Sequence, residues 1–585
     1  MRPNRNMRRP SGARALRAAA FSSTAGIASV TIAGVASAAT LFFAILGSVL
    51  GFSGSFFQWL QPIIAAVSFS TVGGARPVSP APSGPTDVTV EQPPAKPVDK
   101  PVTDAGGKRP VKLGINIDMP TYYGGIRAFS NLILQSPWWL QTINGSVTLP
   151  AAMLDANQNI KKLDAGQRVV RAIGPPTRAL RGLSVDVVCR WSGTATVTLG
   201  GVPAKNPRIG KNSATFTFVP GGENRVQFLI TSTDNADPIR DIDCREADAN
   251  PDAVFDPDFV ENVARYNNVR FMKWQTAVEA NTPIRWADRS RPTSNAYIST
   301  TDGVPVEDMV LLANQAKTDP WFCMPWNADD DYIRKFAEYV RDHLDPSLVA
   351  YVETSNEVWN WTYKVTTQAR DEGRARGMDN GDGGTLFYRY AERTGEVMDI
   401  WSAVFAGQLN RLVRVAATQN AVPWSTGRIL SFKDTASKID AIATAPYFEW
   451  SFKAGEKPPA DFFSTVLPGQ LDLRMKNAAE NKERAAAKGL RFITYEAGQH
   501  ITIGDWADVP MLTAIQRDPR MGDLYTRYLT KWKDEFGDLM VLYVGWGPVS
   551  VYGAWGMQEY MGQPLNEAPK AQAVDLFRRS YVTKN

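Results

Sequence analysis

LVAYVETSNE, residues 348–357, decides how this chain folds. The run is continuously apolar from Leu348 to Val352 and then turns acidic and polar, ending on Asn356-Glu357. A strand buried on both faces reads as such an unbroken run, because neither side alternates with water. RFITYEAG (491–498) repeats the pattern and ends in Glu496. Six more runs are of this kind: KLGINID (112–118), VRFMKW (269–274), WFCMPW (321–326), LVRVAAT (412–418), IDAIATAPY (439–447) and LMVLYVGWG (539–547).

Amphipathic stretches separate the runs. Asp331–Leu344 places Tyr332, Ile333, Phe336, Tyr339, Val340 and Leu344 on one helical face. Val306–Lys317, Thr394–Leu409, Leu471–Lys488 and Asp523–Phe536 also read as helices. Eight strands alternating with helices predict an α/β fold of the (β/α)₈ type, a TIM barrel, whose site sits at the C-terminal ends of the strands. Glu357 and Glu496 then end the fourth and seventh strands.

The gap between the first and second strands is too long for one helix. Residues 141–250 instead hold alternating runs, LSVDVV (183–188), ATVTL (195–199), ATFTFV (214–219) and RVQFLI (225–230), between turn-rich segments. This predicts a small β-sandwich inserted in the barrel, which itself takes 111–140 and 251–585. Structural support is the favoured role for the insert. Cys189 and Cys244 bracket its strands and can form one disulfide, while Cys323 lies in an apolar run as a buried small side chain.

The N-terminus carries a different message. Six arginines (Arg2, Arg5, Arg8, Arg9, Arg14 and Arg17) occupy the first seventeen residues, and no charge follows from Ala18 to Ala75. Residues 25–50 are long enough to cross a bilayer, which takes about 20 residues. The basic arm, 1–24, predicts a cytoplasmic N-terminus, with the folded part periplasmic or extracellular. A cleaved signal peptide, leaving a secreted protein, is the alternative, since VASAAT (35–40) has small residues at suitable spacing. Residues 51–75 read as an apolar interfacial segment. Residues 76–110 read as an extended linker, with nine prolines from Pro77 to Pro110. The net charge of +5 resides largely in the basic arm, so a nucleic-acid partner has no electrostatic support. Neither a phosphate-cradling glycine loop nor a metal-ligand cluster is present, and no cofactor is expected.

Two carboxylates at facing strand ends fit glycoside cleavage with retention, in which one acid protonates the leaving oxygen and one carboxylate attacks the anomeric carbon. The Asn356-Glu357 pair ending strand four, with Glu496 ending strand seven, resembles the clan A glycoside hydrolases. The resemblance covers about 111–140 and 251–585. It implies Glu357 as general acid/base, Glu496 as nucleophile and Asn356 as a donor to the neighbouring sugar hydroxyl. It further implies that Arg270 lies near the nucleophile, that Tyr447 bonds to it, and that Trp546 or Trp555 stacks on the sugar. Ala445 stands where several families of the clan carry a histidine, so the family stays unassigned. Trp326, Asn327 and Trp274 are further candidates for contact with a β-glycan substrate, as are Asp118, Gln275 and Gln499, while Glu353 is assigned to the barrel interior. A transglycosylase using the same two acids, or a glycan-binding or polysaccharide-assembly protein without turnover, are the competing accounts.

Overall fold

The computed structural model describes residues 109–143, 145–155, 159–220, 225–275, 277, 283–292 and 303–583. The basic arm, the expected membrane span, the interfacial segment and nearly all of the linker lie outside the described residues. Among the described residues, no helix is long and apolar enough to cross a membrane.

Eight parallel strands close into a barrel in chain order. They are β1 (Lys112–Asn116), β2 (Asn268–Arg270), β3 (Asp319–Met324), β4 (Ala350–Thr354), β5 (Leu412–Ala417), β6 (Ala441–Thr444), β7 (Arg491–Thr494) and β8 (Leu539–Leu542). Each matches one of the eight apolar runs, and nearly every strand residue is buried. The barrel is tight at Gly114 of β1, where a Cβ would lie 2.8 Å from Val541 Cγ2 and 3.1 Å from Asn268 Cβ. Glycine there lets the two neighbouring strands approach.

β2 is shorter than VRFMKW suggests. Only Asn268–Arg270 pairs as strand, and Met272–Gln275 turns into a 3₁₀ helix. The helix expected from Thr394 starts at Thr385 and runs to Val404. Its early turns hide Arg389 and Arg393, whose charges are met by Glu372, Glu392 and Glu396. Charged residues on a buried face broke the pattern that sequence periodicity relies on. The helix Asp330–His343 is capped by Asp329, whose carboxylate accepts from Tyr332 N at 2.8 Å.

Between β1 and β2, nine strands form two antiparallel sheets. One sheet orders Arg240–Glu246, Val185–Ser192, Ser213–Phe218 and Ala204–Ile209; the other orders Gly145–Thr148, Trp139–Thr142, Arg168–Ile173, Val226–Thr233 and Ala195–Gly200. Val187, Cys189, Trp191 and Phe216 from the first share one core with Val169, Phe228 and Ile230 from the second. Cys189 and Cys244 lie opposite each other on adjacent strands of one sheet and are joined by a disulfide. The insert opens earlier than Gln141. Trp139 already pairs in its sheet, and Leu132, Ile133 and Trp138 belong to its core. Its two ends meet, because Ser130 N donates to Val254 O (3.0 Å) and Asp256 N to Ala128 O (2.9 Å).

Candidate active site

Arg270, the last residue of β2, is fully buried and bonds through Nε and both Nη atoms. Its Nη1 donates to Glu496 Oε1 (3.0 Å) and Asn116 Oδ1 (3.1 Å). Its Nη2 donates to Glu353 Oε2 (2.8 Å) and Asn356 Oδ1 (2.8 Å), and Nε donates again to Glu353 (3.1 Å). A planar guanidinium suits such a fork of acceptors, which an ammonium would not match. Burial alone would lower its pKa, but the surrounding Cys323, Glu353 and Glu496 raise it well above the ordinary value. The arginine therefore stays charged.

Glu353 is wholly enclosed and spends Oε2 on Arg270 and on Trp321 Nε1 (3.0 Å). It anchors the arginine and has no exposure to a substrate. Glu496 lies just beyond β7. Arg270 holds its Oε1 and the Tyr447 hydroxyl donates to its Oε2 at 3.0 Å. Burial raises the Glu496 pKa to about 7; Arg270 opposes this, Glu357 adds to it, and the Tyr447 hydrogen bond lowers it. Burial also pushes the Tyr447 and Tyr495 phenols well above their usual range, so both remain donors.

Glu357 follows β4 on a backbone that turns left-handed at Ser355 (φ 57°) and Glu357 (φ 42°). Such conformations are uncommon for residues with a Cβ and collect where a site demands a particular side-chain direction. Ser355 is fixed by its hydroxyl on Ala277 O (2.7 Å) and its amide on Met324 O (2.7 Å). The Glu357 carboxylate accepts from the Tyr495 hydroxyl (2.8 Å) and from Asn360 Nδ2 (2.9 Å). Among the described residues no cation pairs with it. Tyr495 thus bonds one carboxylate while its chain neighbour, Glu496, is the other.

The structure gathers Glu357, Glu496, Asn356, Arg270 and Tyr447 into this one network. Trp555 stands at its edge, half-buried, donating through Nε1 to His500 Nδ1 (3.2 Å). That bond leaves the proton of neutral His500 on Nε2, and the His500 ring packs edge-on against Tyr447 at 5.6 Å. Three expected contact residues, all tryptophans, are turned into the protein. Trp274 is fully buried among Phe129, Phe255, Phe259 and Phe271, its indole donating to Asp118 O, because the chain leaves β2 as a 3₁₀ turn that points the ring inward. Trp546 is likewise inside, against Phe259 and bonded to Gln558. Trp326 donates to Glu372 under the Arg389 guanidinium. Asn327 is tied reciprocally to Gln368. Gln275 and Gln499 also serve the fold, bonding the backbone at Cys323 and at Ala554 and Ile501.

Several members were not foreseen. Asn116 ends β1 and donates to Tyr495 O (2.9 Å) while accepting from Arg270. A polar residue closing an apolar run was the available signal. Tyr543, after β8, is the aromatic whose charge environment includes Asp118, Glu496 and Glu357. Nothing in its sequence setting distinguishes it from a core tyrosine.

No family model matches the sequence, and no curated protein matches it. Similar solved structures include a 4-O-alpha-L-rhamnosyl-beta-D-glucuronidase from Fusarium oxysporum 12S, at 12% identity over 55% of this chain and 64% of that one, with a TM-score of 0.36. They also include a GH5-4 broad-specificity endoglucanase from an uncultured bacterium, at 13% identity over 55% and 82% of the two chains, with a TM-score of 0.30. A Bacteroidetes-affiliated GH5 cellulase is similar at 11% identity over 56% and 87%, with a TM-score of 0.32.

Proposed function

We propose that this chain is a retaining glycoside hydrolase acting on a β-linked glycan. The observation that carries the reading is the unequal setting of two carboxylates at the barrel mouth. Arg270 and Tyr447 direct two donors at Glu496, one of them charged, whereas among the described residues Glu357 has only the neutral donors Tyr495 and Asn360. Double displacement needs that inequality: a charged carboxylate to attack and a protonated one to assist departure.

In the first step Glu496 attacks the anomeric carbon and Glu357 passes its proton to the leaving oxygen. A glycosyl ester on Glu496 results. In the second step Glu357, now ionised, takes a proton from water, whose oxygen attacks the same carbon and restores Glu496. With a pKa of about 7, Glu496 is about half ionised at neutral pH and carries the required charge above it. Asn356 is turned by its bond to Arg270, which leaves its amide nitrogen to donate to the adjacent sugar hydroxyl. A sugar in place of the water gives transglycosylation from the same site.

We place the barrel outside the cytoplasm, tethered through residues 25–50 and the proline-rich linker. The Cys189–Cys244 disulfide supports this, since such bonds persist in oxidising compartments.

The test incubates the full chain with β-glucans, β-mannans, xylans and bacterial exopolysaccharides. Sugar release that vanishes in Glu496→Ala, with loss of labelling by a fluorosugar inactivator, is the expected result. Release or labelling that persists in that variant would sink the assignment. Glu357→Gln should slow substrates with poor leaving groups at least about 100-fold more than activated aryl glycosides, because only the former need the acid.

A further inference from the structure

Indole and phenol rings are rarely left in water, since each exposes a large apolar face. Among the described residues six aromatic side chains are strongly exposed: Tyr123 (71%), Trp361 (43%), Trp424 (38%), Trp506 (62%), Tyr552 (73%) and Tyr581 (55%). Tyr581 closes the last helix, Pro569–Tyr581. The other five follow β1, β4, β5, β7 and β8, on the barrel face that bears Glu357 and Glu496.

Their placement around the ring is not uniform. In the closed order, β4 and β5 lie across from β8 and β1. Trp361 and Trp424 therefore stand on one rim, and Tyr552 and Tyr123 on the opposite one. Trp506 joins the second rim by packing edge-on against Tyr552 at 6.1 Å. On the first rim each tryptophan has an arginine over its ring, Arg370 on Trp361 (5.4 Å) and Arg428 on Trp424 (4.7 Å). A cation over the ring steadies each indole, and Trp424 is further held by Phe387 at 5.6 Å.

Contacts lead outward from each carboxylate toward its side of the barrel mouth. Asn360, bonded to Glu357, is the neighbour of Trp361. From Glu496 the path goes through Tyr447 and His500 to Trp555, near Tyr543 at 6.1 Å. The sandwich contributes to the second rim, because its Trp139 packs against Tyr122 at 5.6 Å, which in turn meets Tyr123 at 5.0 Å.

We infer that the barrel mouth is an open cleft that holds an extended glycan chain from the β4–β5 rim to the β7–β8–β1 rim, so that the bond cleaved is internal to the polymer. This rests on the glycosidase reading above and adds the mode of attack. The C–H faces of β-linked pyranoses stack on exposed rings, and rings on both sides of the reacting acids place sugars on both sides of the bond. The inserted sandwich then forms part of the glycan-binding wall as well as supporting the barrel.

Affinity electrophoresis of full-length Glu496→Gln through gels containing mixed-linkage β-glucan, β-mannan or xylan tests this without turnover. At least one polymer should retard the protein. Trp361→Ala and Trp506→Ala, on opposite rims, should each weaken that retardation about tenfold. The corresponding Phe variants should recover much of it, and Tyr581→Ala should have no effect. Thermal transitions of all variants check that the fold is kept. No retardation by any polymer, or relief at one rim only, overturns the two-rim cleft. With the wild-type residue at Glu496, internal cleavage drops polymer viscosity well before reducing ends accumulate; sugar released only from chain ends also overturns it. Retardation that obeys both rims without any Glu496-dependent cleavage sinks the hydrolase reading and leaves the cleft standing.

Discussion

At Glu496 the protein holds a carboxylic acid whose proton affinity is raised by burial and restrained by Arg270 and Tyr447. Removing the phenol in Tyr447→Phe takes away a donor to the charged form, so the acidic limb of kcat/KM should move to higher pH. A limb that stays in place or moves down would refute the contact. The same shift makes a stability statement. The folded state holds this proton up to about pH 7, the unfolded chain only to about 4.5. The contribution is complete below 4.5 and is lost as pH rises through 7, amounting to about 3 kcal/mol. Denaturant unfolding of wild type against Glu496→Gln, between pH 4.5 and 8, should show the wild type losing roughly that much relative to the variant. Of this site, the two acids that close apolar runs, Glu357 and Glu496, were legible in the sequence itself, whereas Asn356, Arg270 and Tyr447 were reached through the resemblance to the clan A hydrolases. Tyr495, Asn360 and Tyr543 were reached by neither route, because their roles depend on contacts across strands that no local pattern encodes.

Among the elements, the strands were the legible part. An eight-strand barrel buries both faces of each strand, so most stand out as apolar runs; β2, Asn268–Arg270, is the exception, its buried arginine serving contacts inside the barrel. Helix starts were less so. At Thr385–Val404 the buried arginines disguised the inner face, while Asp330–His343 followed its apolar stripe closely. The Asp329 cap lets a carboxylate satisfy an otherwise unpaired amide at the positive end of the helix. Asp329→Ala should cost about 1 kcal/mol in chemical denaturation. The tryptophans misled for one common reason: indole rings serve both cores and clefts, and the sequence does not say which way a loop turns them.

For the whole molecule, the tether proposed above gives a direct check of placement. Protease added outside cells whose outer barriers have been opened should cut within residues 76–110 and release a soluble fragment that retains Glu496-dependent cleavage. Protection of that segment until the cells are lysed would put the barrel on the cytoplasmic side. The Ala128–Ser130 and Val254–Asp256 pairing, which brings the ends of the insert together, bears on how the chain acquires its shape. As the polypeptide emerges from the ribosome, β1 appears first and must wait for a partner that comes only at Asn268. Left as slack chain, the intervening stretch would impose the closure entropy of a very long loop. The folded sandwich brings Ser130 and Val254 within bonding distance and shortens that loop to residues 117–128 and 256–267. A lesion in the core of the insert, far from either carboxylate, should therefore appear as barrels that fail to close in the cell rather than as slower catalysis.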